Sequence, residues 1–248
     1  MTKAFHGDPS AFLPPGGRRI RAVQRRLRRQ QGPLTPKPDL PALDQLVATV
    51  LSQNTSDRNS SRAFESLKRR FPTWEEVLQA PVEELADAIR SGGLADLKAV
   101  RIRRILALIQ EREGGVTLDR LSQLSDDEVE DYLVSLPGVG PKTAACVLVF
   151  SLGRAAFPVD THVHRVTARL GWLAPRATAE EAYRLLRRRV PPDIRYDLHV
   201  GLVVHGRTIC RPARPLCPAC VLRDLCAYGS GRETSSPARR GGSPSGSL

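Results

Sequence analysis

The 248-residue chain is poor in lysine and in aromatic residues, and it contains no long apolar run. Only five of its 38 basic residues are lysine, and aromatic residues make up 5% of the composition. No apolar stretch approaches the roughly 18 residues that a membrane-spanning helix needs, so no membrane association is expected. Residues 1–17 are rich in proline and glycine and lack the apolar core of a secretory signal, which predicts a mobile N-terminus and a cytoplasmic protein.

A strong positive charge is the first feature that is present. The formal net charge is +12 at pH 7. Such a charge predicts a polyanionic partner, of which nucleic acid is the most typical, while an acidic membrane surface or a ribosomal contact is the alternative. The apolar content of 41% and the charged content of 26% are those of a globular protein, and the length allows one large domain or two smaller ones.

Helical periodicity runs through most of the sequence, and alternating apolar and polar strands are absent. Leu43, Leu46 and Val47 begin one apolar stripe at helical spacing. Ser125 and Glu128 have the spacing of a capping box, and glycine and proline pairs divide the chain into short segments. The pattern predicts an all-α protein of about ten or more short helices.

The two ends of the chain differ from the rest in composition. Residues 18–30 place Ile20, Val23 and Leu27 at helical spacing with arginine on the other face, which predicts a basic amphipathic helix. A proline-rich linker follows it, and residues 229–248 are rich in glycine, serine, proline and arginine. This last segment has too few apolar residues to form a core, so it is expected to be a disordered tail.

Four of the five cysteines, Cys210, Cys217, Cys220 and Cys226, lie within 17 residues at the spacing C-x6-C-x2-C-x5-C. In a cytosolic chain such a group is more typical of a metal centre than of disulfides. Zinc sites usually present two close cysteine pairs and this run has one, so the spacing favours an iron–sulfur cluster over zinc or free thiols. Cys146 lies in the apolar run AACVLVF and is expected to be a buried small hydrophobe.

The stretch LPGVG at residues 136–140 has the features of a tight turn between two helices. Gly138 and Gly140 allow positive φ and leave backbone N–H groups accessible at the start of the next helix. Such a helix N-terminus favours a phosphate, because unpaired amides and the helix dipole act together. A plain turn in a helical hairpin is the alternative, and the positive charge of the chain favours the phosphate-binding interpretation.

Three motifs together resemble one protein family. LPGVGPKTA, PVDTHVHRV, and HGRTIC with the cysteine spacing are similar to motifs of the endonuclease III family of helix-hairpin-helix DNA repair glycosylases. The similarity extends from Leu40 to Tyr228. The resemblance implies two helical domains that flank a DNA-binding cleft, and one 4Fe-4S cluster on the four cysteines. It places a six-helix domain at residues 40–154 and a cluster domain at residues 155–228, with which the basic helix and linker at residues 18–39 pack.

The resemblance implies that Lys142 is the Schiff-base nucleophile and that Asp160 is the second catalytic residue. The reaction needs an amine that is neutral part of the time, which arginine cannot supply. In a chain that rarely uses lysine, the presence of Lys142 directly after the turn supports this role. Asp160 precedes a helical stripe and is also expected to cap that helix, which is compatible with catalysis.

The remaining site residues are those expected to contact DNA. The family fills the gap left by the extruded nucleotide with a polar residue and an apolar wedge, and the matching stretches here are LSQNTSD at residues 51–57 and SGGLADLKA at residues 91–99. Leu94 matches the wedge, while the polar residue is either Asn54, by ungapped match, or Gln53. The other expected DNA contacts come from the turn and from the second motif, and they are Leu136, Gly138, Val139, Gly140, Thr143 and His162.

The sequence therefore predicts a monomeric, nucleoid-associated enzyme that acts on double-stranded DNA containing damaged bases or abasic sites. The implied activity is that of a bifunctional DNA glycosylase and AP lyase that removes oxidised or ring-saturated pyrimidines. A sibling specificity for mismatched uracil or thymine, or for oxidised purines, is the first alternative, because one sequence does not determine the base. A non-catalytic iron–sulfur DNA-binding protein is the second alternative, and the presence of both Lys142 and Asp160 argues against it.

Overall fold

The computed structural model describes residues 14–32 and 40–230, and this part of the chain is helical without a β-strand. The predicted all-α class is confirmed. Three segments lie outside the described residues: 1–13, 33–39 and 231–248. They include most of the N-terminus that is predicted to be mobile and most of the tail that is predicted to be disordered. No described helix is long and apolar enough to cross a membrane.

The α-helices of the described part are α1 (Gly17–Gln31), α2 (Ala42–Leu51), α3 (Asp57–Arg70), α4 (Trp74–Gln79), α5 (Val82–Ala88), α6 (Ala95–Glu113), α7 (Asp126–Val134), α8 (Pro141–Phe150), α9 (Thr161–Arg169), α10 (Ala179–Arg189) and α11 (Arg195–Thr208).

Side-chain caps define the starts of several helices. Thr73, Ser125 and Thr178 each accept a hydrogen bond from the backbone N–H three residues ahead, and the glutamate at that position accepts one from the cap, which completes a capping box at α4, α7 and α10. The box predicted at Ser125 is thereby confirmed. Residues 40–154 hold seven α-helices where the resemblance implies six, and two of the seven, α4 and α5, are only six and seven residues long.

Helix α8 lies at the centre of the larger group of helices. Its side chains from Thr143 to Val149 are all buried, and α2, α7 and α10 pack around it. The prediction that Cys146 is buried is confirmed. A helix that is buried on every face has no amphipathic stripe, which explains the uniformly apolar sequence of this segment. The partly exposed residues of α8 are Pro141 and Lys142 at its start and Phe150 at its end.

Helix α1 packs against the C-terminal third of the chain. Ile20, Val23 and Leu27 are buried, and the helix lies on α11. The contact is close, because a Cβ added at Gly201 of α11 would lie 3.3 Å from the side chain of Leu27. The amphipathic helix predicted at the start of the chain is therefore present, with its apolar stripe directed into the core.

Arginines of α1 also hold the cysteine-bearing segment near the end of the chain. Arg19 donates to the carbonyl of Leu225 at 2.9 Å, across 206 residues of sequence. Arg26 donates to the carbonyl of Val221 at 3.0 Å and forms an ion pair with Asp224. The first described helix is thus part of the structure that positions the C-terminal cysteines.

A buried histidine fixes the segment that leads into α9. His199 of α11 is 5% exposed, and its Nδ1 donates to the carbonyl of Pro158 at 2.9 Å, two residues before Asp160. Because a carbonyl only accepts, Nδ1 carries the proton of the neutral ring. Phe150 and Phe157 lie against this ring, with centroids 5.8 and 6.1 Å away. Burial lowers the pKa of His199 to about 4.

A buried lysine joins two turns. Lys98 of α6 is 1% exposed, and its Nζ donates to the carbonyls of Leu51 and Gly92, each at 2.8 Å. Leu51 ends α2 and Gly92 precedes α6, so one ammonium group holds the two connecting turns together. Burial, together with the charge of Arg101, lowers the pKa of Lys98. The two carbonyl dipoles offset part of the cost of placing this charge inside the protein.

Replacement of His199 by asparagine should make the fold less sensitive to acid. The folded pKa of about 4 lies below that of histidine in an unfolded chain, so this stabilising contribution is complete above about pH 6.5 and is lost as the pH falls towards 4. Asparagine can still donate to the carbonyl of Pro158 but does not titrate. Between about pH 6.5 and 4.5, we expect the free energy of unfolding to fall less for His199→Asn than for the wild type.

Urea unfolding followed by circular dichroism at each pH provides the measurement. At about pH 8 the ring is neutral, so a difference in the free energy of unfolding between the two proteins there measures only the lost packing against the two phenylalanines. Any further difference at lower pH then measures the effect of protonation. An equal pH dependence of the two proteins would contradict the role given to His199.

Candidate active site and DNA-facing surface

The turn between α7 and α8 requires glycine at one position. Gly138 has φ 73°, and a Cβ added there would lie 2.5 Å from Nε of Arg101. Leu136, Val139 and Thr143 are buried, so their side chains anchor the hairpin in the core. These three predicted contact residues can therefore meet DNA only through their backbone.

Backbone amides are available at the start of α8. The N–H groups of Val139 and Thr143 donate within the turn. Those of Gly138, Gly140 and Lys142 form no hydrogen bond in the part of the chain that the structure describes. With the positive end of the helix dipole, such amides can bind a phosphate oxygen.

Lys142 and Asp160 lie at two helix N-termini that converge on the same buried groups. Lys142 is the second residue of α8, and Asp160 is the N-cap of α9. Burial raises the pKa of Cys146, while the amine of Lys142 one turn earlier lowers it and the carboxylate of Asp160 raises it. The charges of both residues act on His199 as well. The two predicted catalytic residues thus begin consecutive helices, with Lys142 at the start of α8 and Asp160 at the start of α9.

The carboxylate of Asp160 is held by the helix that it caps. Its Oδ1 accepts from the backbone N–H of Val163 at 2.7 Å, which confirms the predicted N-cap. Within the described ranges the other carboxylate oxygen accepts no hydrogen bond, and the residue is partly exposed. Capping thus fixes the side chain and leaves one oxygen for a substrate.

His162 and an ion pair border the same site. Burial lowers the pKa of His162, on which the charges of Asp160, Arg165, Arg207 and Asp57 also act. The Nδ1 of His162 accepts from Arg165 at 3.0 Å. Arg207 near the end of α11 pairs with Asp57 at the start of α3. This pair connects the helices that precede the hairpin with those that follow it, close to the predicted catalytic residues.

Gln53 is held by the hairpin, whereas Asn54 is exposed. The Nε2 of Gln53 donates to the carbonyl of Gly138 at 3.2 Å, and its Oε1 accepts from Arg101 at 2.8 Å. Asn54 has φ 55° and an exposed side chain. Because Gln53 ties its loop to the hairpin, Asn54 is the better placed of the two to project into DNA.

Leu94 lies in a second turn with the same left-handed backbone conformation as Asn54. It is the N-cap of α6 with φ 50°, and its side chain is 55% exposed. Positive φ costs a residue other than glycine on the order of 1 kcal/mol or more, so the surroundings must restrain it. Lys98 supplies restraint, because it bonds Leu51 and Gly92 close to the two turns. The predicted wedge is thus an exposed apolar side chain on a fixed support.

The four predicted ligands, Cys210, Cys217, Cys220 and Cys226, line one cavity, and none forms a disulfide. Burial raises the pKa of the Cys220 and Cys226 thiols. Metal binding replaces the thiol protons and so offsets the cost of ionising buried sulfurs. Among residues 14–32 and 40–230, no three His, Cys, Asp or Glu side chains are placed to hold one metal ion.

N–H groups surround these sulfurs. The backbone amides of Leu222 and Gly229 donate to the sulfurs of Cys220 and Cys226 at 3.4 and 3.3 Å. The Nε2 of His205 lies 3.5 Å from the sulfur of Cys220, and its Nδ1 is buried without a hydrogen-bond partner in the described structure. Donors at these positions suit thiolate sulfurs, as in a metal-bound cluster.

Two residues that organise this surface, Arg101 and Lys98, were not identified from the sequence. The scarcity of lysine that draws attention to Lys142 applies equally to Lys98 and is the signal by which it can be found. Arg101 gives no such signal, because arginine is abundant in this chain. Its role depends on the tertiary contact with Gln53 and Gly138.

Known proteins match both the sequence and the fold. The profile of the HhH-GPD superfamily base excision DNA repair protein matches residues 47–192. A protein of Arabidopsis thaliana named as a DNA glycosylase, At3g47830, is 46% identical over 165 residues, which are 66% of this chain and 56% of the plant protein. This match therefore spans little more than half of the plant protein. Endonuclease III of Thermotoga maritima is 39% identical over 183 residues, which are 74% of this chain and 81% of that protein.

A solved structure shows the same relationship. The trapped covalent intermediate of endonuclease III with DNA superposes with a TM-score of 0.75 at 30% identity, and the match covers 88% of this chain and 99% of that chain. The likeness in sequence and fold thus extends over most of both molecules. The chain belongs to the HhH-GPD superfamily of base excision DNA repair proteins and, within it, to the endonuclease III family.

Proposed function

We propose that this endonuclease III-like DNA glycosylase excises oxidised or ring-saturated pyrimidines from double-stranded DNA and then cleaves the abasic site through a Schiff base on Lys142. The position of Lys142 at the exposed start of α8, directly after the hairpin, is the observation that carries the proposal. The base preference rests on the similarity to endonuclease III. The unpaired amides of the hairpin support a bound phosphate beside the amine, and a phosphate there leaves the sugar within reach of Lys142.

The reaction starts with the damaged nucleotide outside the stack, because C1′ is inaccessible within a duplex. The neutral amine of Lys142 attacks C1′, and the base departs with the electrons of the N-glycosidic bond and takes up a proton. The nitrogen then loses a proton, and the C1′–O bond of the sugar ring opens with its electrons to the ring oxygen, which takes up a proton, to give an iminium between Nζ and C1′. Removal of a C2′ proton expels the 3′ phosphate, and water releases the lysine.

Asp160 assists the first of these steps. An ionised carboxylate near C1′ stabilises the positive charge that develops on the sugar as the base departs, and it can accept a proton from the attacking amine. The hydrogen bond from Val163 holds one carboxylate oxygen, so the other is the reactive one.

Asn54 and Leu94 fill the gap in the duplex in this proposal, while Gln53 stays on the hairpin. The two bonds of Gln53, to Gly138 and from Arg101, support this division of roles. The left-handed turns present both gap-filling side chains to solvent before DNA arrives. A side chain that is already in place loses less conformational entropy on binding.

The four cysteines would hold one 4Fe-4S cluster with a structural role. The segment that carries them has short 3-10 turns, at Cys217–Ala219 and Arg223–Leu225, as its only helical elements after α11 in the described part of the chain. A loop with so little regular structure depends on its ligand bonds for order. A bound cluster would supply those bonds, and the excision steps use residues outside the cluster cavity.

Lys142→Ala should abolish covalent trapping on DNA. The assay is borohydride reduction with a duplex that carries one thymine glycol or one abasic site, in which the adduct migrates as a slower band. Lys142→Arg is the matched control, because its guanidinium can contact phosphate but cannot form a Schiff base. Both variants should bind the duplex and yield no adduct, since neither has an amine at this position.

Asp160→Asn serves as a companion variant, because asparagine caps a helix about as well as aspartate. It should keep duplex binding while base excision slows.

Normal trapping by Lys142→Ala would show that another amine is the nucleophile. Trapping on the abasic site without any excision of thymine glycol would leave the lyase assignment intact and reject the proposed base preference.

Asn54→Gly should weaken binding to a duplex with an uncleavable tetrahydrofuran site by about ten-fold without lowering the melting temperature of the protein, because glycine readily adopts the φ of 55° at this position. Gln53→Ala should instead lower the free energy of unfolding by about 1 kcal/mol, because the Gly138 carbonyl and Arg101 each lose a partner. Fluorescence anisotropy and thermal unfolding measure the two quantities. The reverse pattern would assign the gap-filling role to Gln53.

The protein purified without oxygen should contain about four iron and four sulfide per chain. Cys217→Ser should lose iron and melt at a lower temperature, because one ligand bond is removed. The matched control is Cys146→Ser, since Cys146 lies in α8 away from the cavity and should keep the full iron content. Stoichiometric zinc without iron in the wild type would reject the cluster.

A further inference from the structure

An exposed apolar stripe runs along the first turns of α6. Leu94, Leu97 and Val100 are 55%, 55% and 53% exposed, and they follow one another at three-residue spacing, which places them side by side on a helix. The other large apolar side chains that are exposed in the described structure, such as Val134, are isolated and less exposed, at 37 to 41%. A continuous row of apolar side chains in water is costly unless a partner covers it.

The stripe is continuous with the surface that carries the DNA-contacting residues. At one end it begins at Leu94, the wedge. Arg101, the residue after Val100, reaches sideways to Gln53 and to the hairpin glycine Gly138. The helix that carries the row therefore begins at the wedge turn and contacts the hairpin through Arg101.

The charges around the stripe also favour DNA. Arg104 lies one turn beyond Val100 on the same face, is exposed, and forms no ion pair or hydrogen bond among the described residues. Asp96 is the acidic residue in the first turn of α6. Its carboxylate helps to raise the pKa of Arg90, so its negative charge is partly offset by that arginine. An apolar row that ends in an unpaired arginine matches the minor groove, where apolar sugar edges lie beside phosphates.

We propose that Leu97, Val100 and Arg104 extend the wedge into a docking surface for the minor groove beside the gap. Leu97 and Val100 cover deoxyribose edges of the duplex that Leu94 opens, and Arg104 contacts the next phosphate. The surface thereby stabilises the bent duplex with the nucleotide extruded, without reading its sequence. The inference rests on the proposed function only in taking a duplex with an extruded nucleotide as the ligand.

The test uses three variants. They are the double variant Leu97→Gln/Val100→Gln, the single variant Arg104→Gln, and the control Val134→Gln at an isolated exposed position of α7. The probe is a duplex with a tetrahydrofuran site, measured by anisotropy over a range of salt concentrations. The double variant should bind about ten-fold more weakly at every salt concentration with an unchanged salt slope, because an apolar contact releases no counterions. Arg104→Gln should reduce the slope by about one. Val134→Gln should bind like the wild type.

Wild-type affinity in the double variant would overturn the proposal, provided that its melting temperature is unchanged. Loss of self-association in sedimentation, with DNA affinity intact, would assign the stripe to a second copy of the chain and also overturn it. A tetrahydrofuran site carries no base and cannot be excised. Its binding therefore tests the docking surface even if the Schiff-base role of Lys142 or the preference for pyrimidines proves wrong. The control Val134→Gln should also give the wild-type yield in borohydride trapping of an abasic site.

Discussion

The complete burial of the middle of α8 is the constraint on which the rest of the structure depends. An apolar helix at the centre needs neighbours on every side, and α2, α7 and α10 provide them. Its first residues are then where its unpaired amides and its dipole meet solvent, and Lys142 lies there. Core packing of Leu136 and Val139 fixes the preceding turn, so the position of Lys142 is set by the interior and not by a mobile loop.

Features that depend on local pattern could be predicted from the sequence, and features that depend on tertiary proximity could not. The all-α class, the cap at Ser125 and the N-cap at Asp160 follow from residue types at short spacing. The choice between Gln53 and Asn54 does not, because two adjacent amides are chemically alike and only the tertiary contacts of Gln53 with Arg101 and Gly138 distinguish them. Motif matching likewise marked the hairpin residues as contacts without showing that three of their side chains point into the core.

Two of the lysines that the structure describes occupy places that accommodate a compact ammonium group. Lys98 fits a narrow interior site with two carbonyls, and Lys68 lies 4.4 Å from the ring centroid of Trp74. Arginine is used where a broad fork is needed, as in Arg154, which donates to three backbone carbonyls and to Asp126. Among the described residues, the unequal use of lysine and arginine therefore reflects geometry as well as charge.

The packing of α1 on α11 has a consequence for how the chain is made. Gln31 donates to the carbonyl of Gly201, which leaves the ribosome 170 residues later. At roughly 5 to 20 residues per second, α1 waits about 10 to 30 s for its partner, while α2 to α8 can assemble among themselves. During that interval its apolar stripe is uncovered, and its arginine-rich face keeps the waiting helix hydrated. Burial of the apolar stripe of α1 therefore requires residues that are synthesised much later.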